Sequence, residues 1–179
     1  LDSQQRDNSG RTDTVLIRPA VLADLADITE IYNQAVFKTV ATFDTEPKTM
    51  EEQKCWFERH DSEYPIIVAE IDGRVVGWAS LSRWSDRCAY SKTAEISLYV
   101  SEEFQGRSFG KKLMESMIKK GEEAGLRTVI ARIAEGNPAS IRLHESAGFQ
   151  HIGAMKKVGE KFGRILDVYL MQKIYGEND

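Results

Sequence analysis

The segment Leu98 to Glu115, LYVSEEFQGRSFGKKLME, constrains the fold more than any other part of the chain. The run that enters it, TAEISLYV from Thr93 to Val100, alternates like a strand. Ala94, Ile96, Leu98 and Val100 share one face, and Thr93, Glu95, Ser97 and Tyr99 the other. The run that leaves it is an amphipathic helix, Phe109 to Ala124, with Phe109, Leu113, Met117 and Ala124 on one side and Gly125 as its stop. Between them lies a short polar loop holding Gly106. A strand delivered directly into a helix N-terminus presents unpaired N–H groups and a partial positive charge, and glycine lets an anion approach the backbone closely. Such a turn suits a phosphate or pyrophosphate. The spacing excludes two common uses. GxxxxGK[ST] fails because only three residues separate Gly106 from Gly110 and Lys111 is followed by Lys112; GxGxxG fails at its second and third glycines. Taken alone, the segment also reads as a helix cap beside an ordinary turn.

The rest of the chain supplies the company this unit keeps. Thr14 to Ile17 predicts a short strand. Leu25, Ile28, Ile31, Tyr32, Ala35 and Val36 recur at helical spacing, Thr39 to Pro47 has no period, and Thr49 with Glu52 forms a capping-box pattern opening a helix to His60. PIIVAEI and RVVGWASLS flank Asp72-Gly73, a strong hairpin signal. Trp84 to Lys92 is a mixed connection. Thr128 to Ala134 predicts a strand, Pro138 to Ala147 a helix stopped by Gly148, and two β-rich runs, His151 to Val158 and Arg164 to Ile174, close the chain. The order β-α-α-β-β-β-α-β-α-β-β predicts an α/β fold: one mixed sheet of about seven strands with helices on both faces. It is not a barrel of repeated βα units. Residues 1–14 read as a flexible N-terminal arm or cloning remnant, and residues 15–176 as a single domain.

Composition excludes several function classes. The 179 residues are 41% hydrophobic and 29% charged, which rules out wholesale disorder. Twenty-four basic against 28 acidic residues give a formal charge of −4, so no nucleic-acid footprint is present. No apolar run reaches the ~18 residues of a membrane helix, and the N-terminal residues hold no signal core. Cys55 and Cys88 lack metal-ligand spacing, and no metal site is expected. Each cysteine reads as a small buried apolar side chain in a reducing cytoplasm.

Two motifs carry a family resemblance. YVSEEFQGRSFGKKL resembles motif A of the GNAT acyltransferase superfamily, Q/R-x-x-G-x-G/A, with Gln105 and Gly110 at its first and last positions. Ser108 stands where the motif has its central glycine. Serine resists positive φ, so an ordinary backbone is expected there. GNPASIRLHESAGF, Gly136 to Phe149, resembles the family's second cofactor motif through Asn137, Ser140, Leu143, His144 and Gly148-Phe149. The resemblance implies a mixed, mostly antiparallel central sheet and an acetyl-CoA site. That site would comprise Leu98, Tyr99, Val100, Gln105, Gly106, Arg107, Ser108, Phe109, Gly110, Lys111, Asn137 and Ser140. The triplet Leu143-His144-Glu145, together with Glu95, resembles the branch that acetylates phosphinothricin and methionine sulfoximine or sulfone. Residues 41–57 resemble that branch's substrate loop and residues 161–173 its last strand. The implied activity is N-acetylation of the α-amine of a small amino acid, by a homodimer.

Such chemistry needs a neutral amine, and an amino-acid ammonium must first lose its proton. Glu95 is the candidate base; on position alone it also reads as a solvent-facing carboxylate or an ion-pair partner. His144 is the second candidate, assisting deprotonation or donating towards the leaving sulfur, against a reading in which it only packs. His60 and His151 are read as structural. The substrate carboxylate calls for a clamp, for which Arg83 and Arg87 are candidates, with Phe43, Trp84 and Tyr90 as pocket walls. The arginines also read as solvated loop charges. The competing functions are acetylation of another small amine or of a protein N-terminus, and non-catalytic acyl-CoA binding.

Overall fold

The computed structural model describes residues 14–176; apart from Thr14, the expected N-terminal arm lies outside the described residues. The chain runs β1 (Leu16–Pro19), α1 (Leu25–Lys38), α2 (Met50–Phe57), β2 (Ile66–Ile71), β3 (Arg74–Arg83), β4 (Thr93–Val100), α3 (Phe109–Glu123), β5 (Thr128–Ala134), α4 (Pro138–Ser146), β6 (Gln150–Lys161) and β7 (Arg164–Ile174). The seven strands form one sheet in the order β1-β2-β3-β4-β5-β7-β6. Every neighbouring pair is antiparallel except β4 with β5.

Local chemistry accounts for the element ends. Thr49 accepts from the Glu52 N–H while the Glu52 carboxylate accepts from the Thr49 N–H, which starts α2. That helix ends at Phe57, short of the expected His60, whose ring turns back to donate from Nδ1 to the Trp56 carbonyl at 2.7 Å. Asp72 and Gly73 both take positive φ, 49° and 81°, as a two-residue type I′ turn requires. β1 begins at Leu16 and carries Pro19, which an edge strand tolerates. β6 runs three residues past the expected Val158, because Phe162 and Gly163 make a second tight turn with positive φ.

The strand alternation sorts the core onto two faces. Ile67, Ala79, Leu81, Ala94, Ile96, Val129 and Met171 pack under Leu113, Met114 and Met117 of α3, with α4 on the same side. Ile66, Val68 and Trp78 pack under Ile28 and Ile31 of α1 and Trp56 and Phe57 of α2. Fully burying such a side chain contributes about 1.5–3 kcal/mol. Cys55 and Cys88 are exposed, contrary to expectation. The inward side of α2 is taken by Gln53, Trp56 and Phe57, and Cys88 sits in a 3-10 turn of the exposed β3–β4 connection.

The feature that makes a site is where β4 and β5 part. Only Thr93 to Glu95 pair with Thr128 to Ile130. Beyond that point β4 stays with β3 as far as Val100, and β5 stays with β7 as far as Ala134. The sheet therefore splits into a wedge, and the backbone of β4 from Ile96 onward has no strand partner on its β5 side.

Candidate active site

A cavity of about 870 Å³ fills this wedge. Its walls are Glu95 to Val100 of β4 and Ala131 to Ala134 of β5. It is closed by the loop before α3, by Asn137, Ser140, Leu143 and His144 of the α4 segment, and by Thr39 to Asp44. Of the residues expected to hold acetyl-CoA, Leu98, Tyr99, Val100, Gln105, Gly106, Ser108, Phe109, Gly110, Asn137 and Ser140 line it. Arg107 and Lys111 do not: the Arg107 guanidinium lies 5.4 Å from the Phe104 ring centroid, and Lys111 pairs with Glu115 at 3.8 Å.

The loop is built for an anion. Gly106 has φ 75° and Ser108 φ 64°, ψ 8°. The left-handed Ser108 corrects the expectation of an ordinary backbone there. The chain must turn twice between the extended Gln105 and the first residue of α3, and the strain at Ser108 costs about 1 kcal/mol. No side chain caps this helix through Ser108, so the first-turn amides face the loop, in the orientation a phosphate needs. The unpaired β4 edge adds backbone donors and acceptors suited to an amide-rich arm. These features fit the pyrophosphate and pantetheine of acetyl-CoA. Asn137 caps α4, its Oδ1 accepting from the Ser140 N–H at 3.1 Å, with Pro138 in the first turn.

His144 is buried on the inner side of α4, its ring edge-on to Phe149 at 5.0 Å. Burial holds its pKa below the usual imidazole value, against an opposing hydrogen bond to Ser140. Nδ1 lies 2.8 Å from the Ser140 carbonyl. A carbonyl only accepts, so Nδ1 carries the proton and Nε2 the lone pair. Neutral His144 is thereby set up to take a proton rather than to give one.

Glu95 stands at the apex of the wedge, in the last residue pair that β4 makes with β5. Both its oxygens accept from Arg132: Nε to Oε1 at 2.6 Å and Nη2 to Oε2 at 2.8 Å. The Arg132 side chain is 52% exposed and that of Glu95 20%, so water reaches and screens the pair from the arginine side. Arg132 is the main site residue that the sequence reading missed. Its signal was available: it is the one charge in the strand TVIARIA.

The remaining expectations divide. Phe43 lines the cavity. Among the described residues that line it, Arg83, Trp84, Arg87 and Tyr90 do not appear. β3 ends at Arg83 opposite Ala94, on the closed side of the wedge, and the connection departs from there. Arg83 lies 4.4 Å over the Tyr64 ring, and Trp84 meets the site only through its ring, 5.8 Å from the Arg132 guanidinium carbon. The 39–44 loop is fixed from behind by groups that its lack of period concealed. Tyr32 Oη donates to Asp44 at 2.6 Å, and the buried Lys161 Nζ donates to the Thr42 carbonyl at 2.7 Å. Burial pulls the Asp44 carboxyl up, but hydrogen bonds from Tyr32 and Lys48 outweigh it and hold the group below the usual range.

A split sheet, an anion loop at the wedge and a helix closing it define an acyl-CoA-dependent transferase. The chain belongs to the acetyltransferase (GNAT) family, which it matches over residues 25–149. It is 40% identical over 158 residues to an L-methionine sulfoximine/L-methionine sulfone acetyltransferase of Pseudomonas aeruginosa, covering 87% of this chain and 92% of that one. It is 37% identical over 161 residues to a phosphinothricin N-acetyltransferase of Streptomyces coelicolor, covering 88% and 94%. Its fold superposes with a TM-score of 0.87 on a GNAT phosphinothricin acetyltransferase of Sinorhizobium meliloti solved with acetyl-CoA, at 39% identity, covering 90% and 88%.

Proposed function

We propose that this chain is an N-acetyltransferase that moves an acetyl group from acetyl-CoA to the α-amine of a small amino acid of the phosphinothricin, methionine sulfoximine or methionine sulfone type. The observation that carries the reading is Glu95 at the apex of the wedge, with the anion loop and His144 around the same cavity. Acetyl-CoA supplies the activated thioester. The amides of residues 106–111, in the loop and the first turn of α3, and the open edge of β4 bind and orient it, and Asn137 and Ser140 border its arm. Glu95 accepts the proton of the substrate ammonium, leaving a nitrogen lone pair for the acetyl carbon. The C–N bond forms, the C–S bond breaks, and the electron pair leaves on sulfur. Backbone N–H groups of Leu98 to Val100 stabilise charge developing on the carbonyl oxygen. His144, neutral with its Nε2 lone pair, takes up a proton as the amine becomes an amide.

Residues 15–176 act as one acetyltransferase domain. The protein works as a homodimer in the cytoplasm. Exposed Ile152, Val158, Phe162 and Ile165 on the β6–β7 hairpin support the first statement, and two exposed free thiols the second. Among the described residues no helix is long and apolar enough to cross a membrane.

Release of free thiol from acetyl-CoA, measured against a panel of amines, tests the reading. Turnover is expected with methionine sulfone, methionine sulfoximine and phosphinothricin. Turnover with polyamines and no amino acid would sink the substrate assignment, and no turnover with CoA still bound would favour a binding protein.

A further inference from the structure

β5 pairs with β4 only as far as Ile130, and Arg132 is the next residue of β5 on the Ile130 face. It is therefore the first β5 side chain on that face to meet the open wedge, and it meets Glu95. Both strong donors of its fork that face Glu95 are used, at 2.6 and 2.8 Å. The Trp84 ring lies on one side of the guanidinium, while half of the side chain remains exposed and borders the cavity. The carboxylate that should receive the substrate's proton is thus occupied by a cation that a ligand can reach.

An α-amino acid brings a carboxylate and an ammonium on one carbon, spaced to meet the two halves of an ion pair. We infer that Arg132 is the substrate's carboxylate clamp and a gate on Glu95. This rests on the amino-acid reading of the site. The incoming α-carboxylate takes the Nε–H and Nη2–H donors. Glu95, released from Arg132, accepts hydrogen bonds from the α-ammonium and then its proton. One N–H bond breaks, one O–H bond forms on the Glu95 carboxyl, and the electron pair stays on nitrogen for attack. An amine without a neighbouring carboxylate cannot displace Glu95, so the base stays engaged with Arg132. The ion pair in the free protein acts as a filter for α-amino acids: the substrate reaches it from the exposed Arg132 side and gives each half a new partner of opposite charge.

The test compares L-methionine sulfone with its carboxamide, which keeps the amine and side chain and lacks the carboxylate charge. The parent is expected to prefer the acid by about 10- to 100-fold in kcat/KM, the range of a charge-assisted hydrogen-bonded contact. In Arg132→Met that preference should collapse, through a higher KM for the acid and a raised kcat/KM for the amide, whose base is no longer held by the arginine. Arg132→Lys, which keeps the charge and loses the fork, should fall between. Calorimetric titration of the acid should show the same order. Equal losses on acid and amide in Arg132→Met would reduce the residue to a structural role and overturn the inference. Full preference in Arg132→Met, lost instead in Arg87→Ala, would move the clamp to the β3–β4 connection. If the parent acetylates neither compound but does acetylate other amines, the amino-acid reading itself fails, and the inference with it.

Discussion

Ser108 holds a backbone conformation that its side chain disfavours, φ 64° in the turn that delivers the chain into α3. Ser108→Gly removes that strain, and the greater freedom of glycine in the unfolded chain offsets about 0.5–1 kcal/mol of the gain. Stability should therefore change little, while CoA binding is kept or tightened. Ser108→Val should lose about 1–3 kcal/mol and weaken CoA. Thermal melts with and without CoA read both; tighter CoA binding by the valine variant would show that the left-handed turn is irrelevant to the site. The residue scale is also where the sequence was least legible. Identity places Ser108 in a motif, but its φ depends on how far the loop must turn. His144 was visible in the α4 motif, whereas its tautomer required a carbonyl 2.8 Å away to be seen.

At the scale of elements, the end of β6 braces the 39–44 loop that lines one side of the cavity. Gly159 and Lys161 stand on one face of the strand. A Cβ at Gly159 would run into the Phe43 ring, and Lys161 reaches the Thr42 carbonyl at 2.7 Å. The pair cradles the 42–44 loop from a distance of more than a hundred residues in sequence, so no local pattern reveals it. Gly159→Ala should displace Phe43 and raise the amine KM several-fold, with CoA affinity unaltered. Lys161→Met leaves the Thr42 carbonyl unpaired, a cost of about 1–3 kcal/mol, and should act in the same direction. Steady-state kinetics with separate CoA titrations check both variants; an unchanged amine KM in each would release the loop from any part in binding. By contrast, the elements themselves were legible, because alternation in TAEISLYV, the Asp72-Gly73 turn and the Thr49–Glu52 cap are local signals that the tertiary structure leaves intact. α2 and β6 were misjudged at their ends, where the Phe162-Gly163 turn and the folded-back His60 decide the boundary.

For the whole molecule, the parting of β4 and β5 makes one sheet into an enzyme site, and the same packing leaves a pH signature. Burial holds both His60 and His144 below the usual imidazole pKa. The unfolded chain gains protons below about pH 6.5 that the folded chain refuses, so stability is full above that pH and falls on acidification, by up to about 1.4 kcal/mol per pH unit per histidine. Asp24 follows at lower pH. Burial pulls its carboxyl up, but hydrogen bonds from Arg18 and the Val21 N–H outweigh it, and that stability is lost as pH falls through the depressed value. Urea unfolding at pH 8, 6.5 and 5 should give similar stabilities at the first two and a lower one at the third; equal stability at pH 5 and 8 would contradict the neutral, buried state of both histidines. The two cofactor motifs were readable because they are contiguous. The Glu95–Arg132 contact was not, because it joins neighbouring strands whose pairing ends two residues before Arg132. Glu95 as the base is the claim on which the catalytic account turns, and general-base help is typically worth about 10²–10⁴ in rate. The direct measurement is turnover of Glu95→Gln with methionine sulfone, with CoA affinity determined separately. A fall of that size with CoA affinity unchanged is predicted; near-parental turnover with intact CoA binding would contradict it.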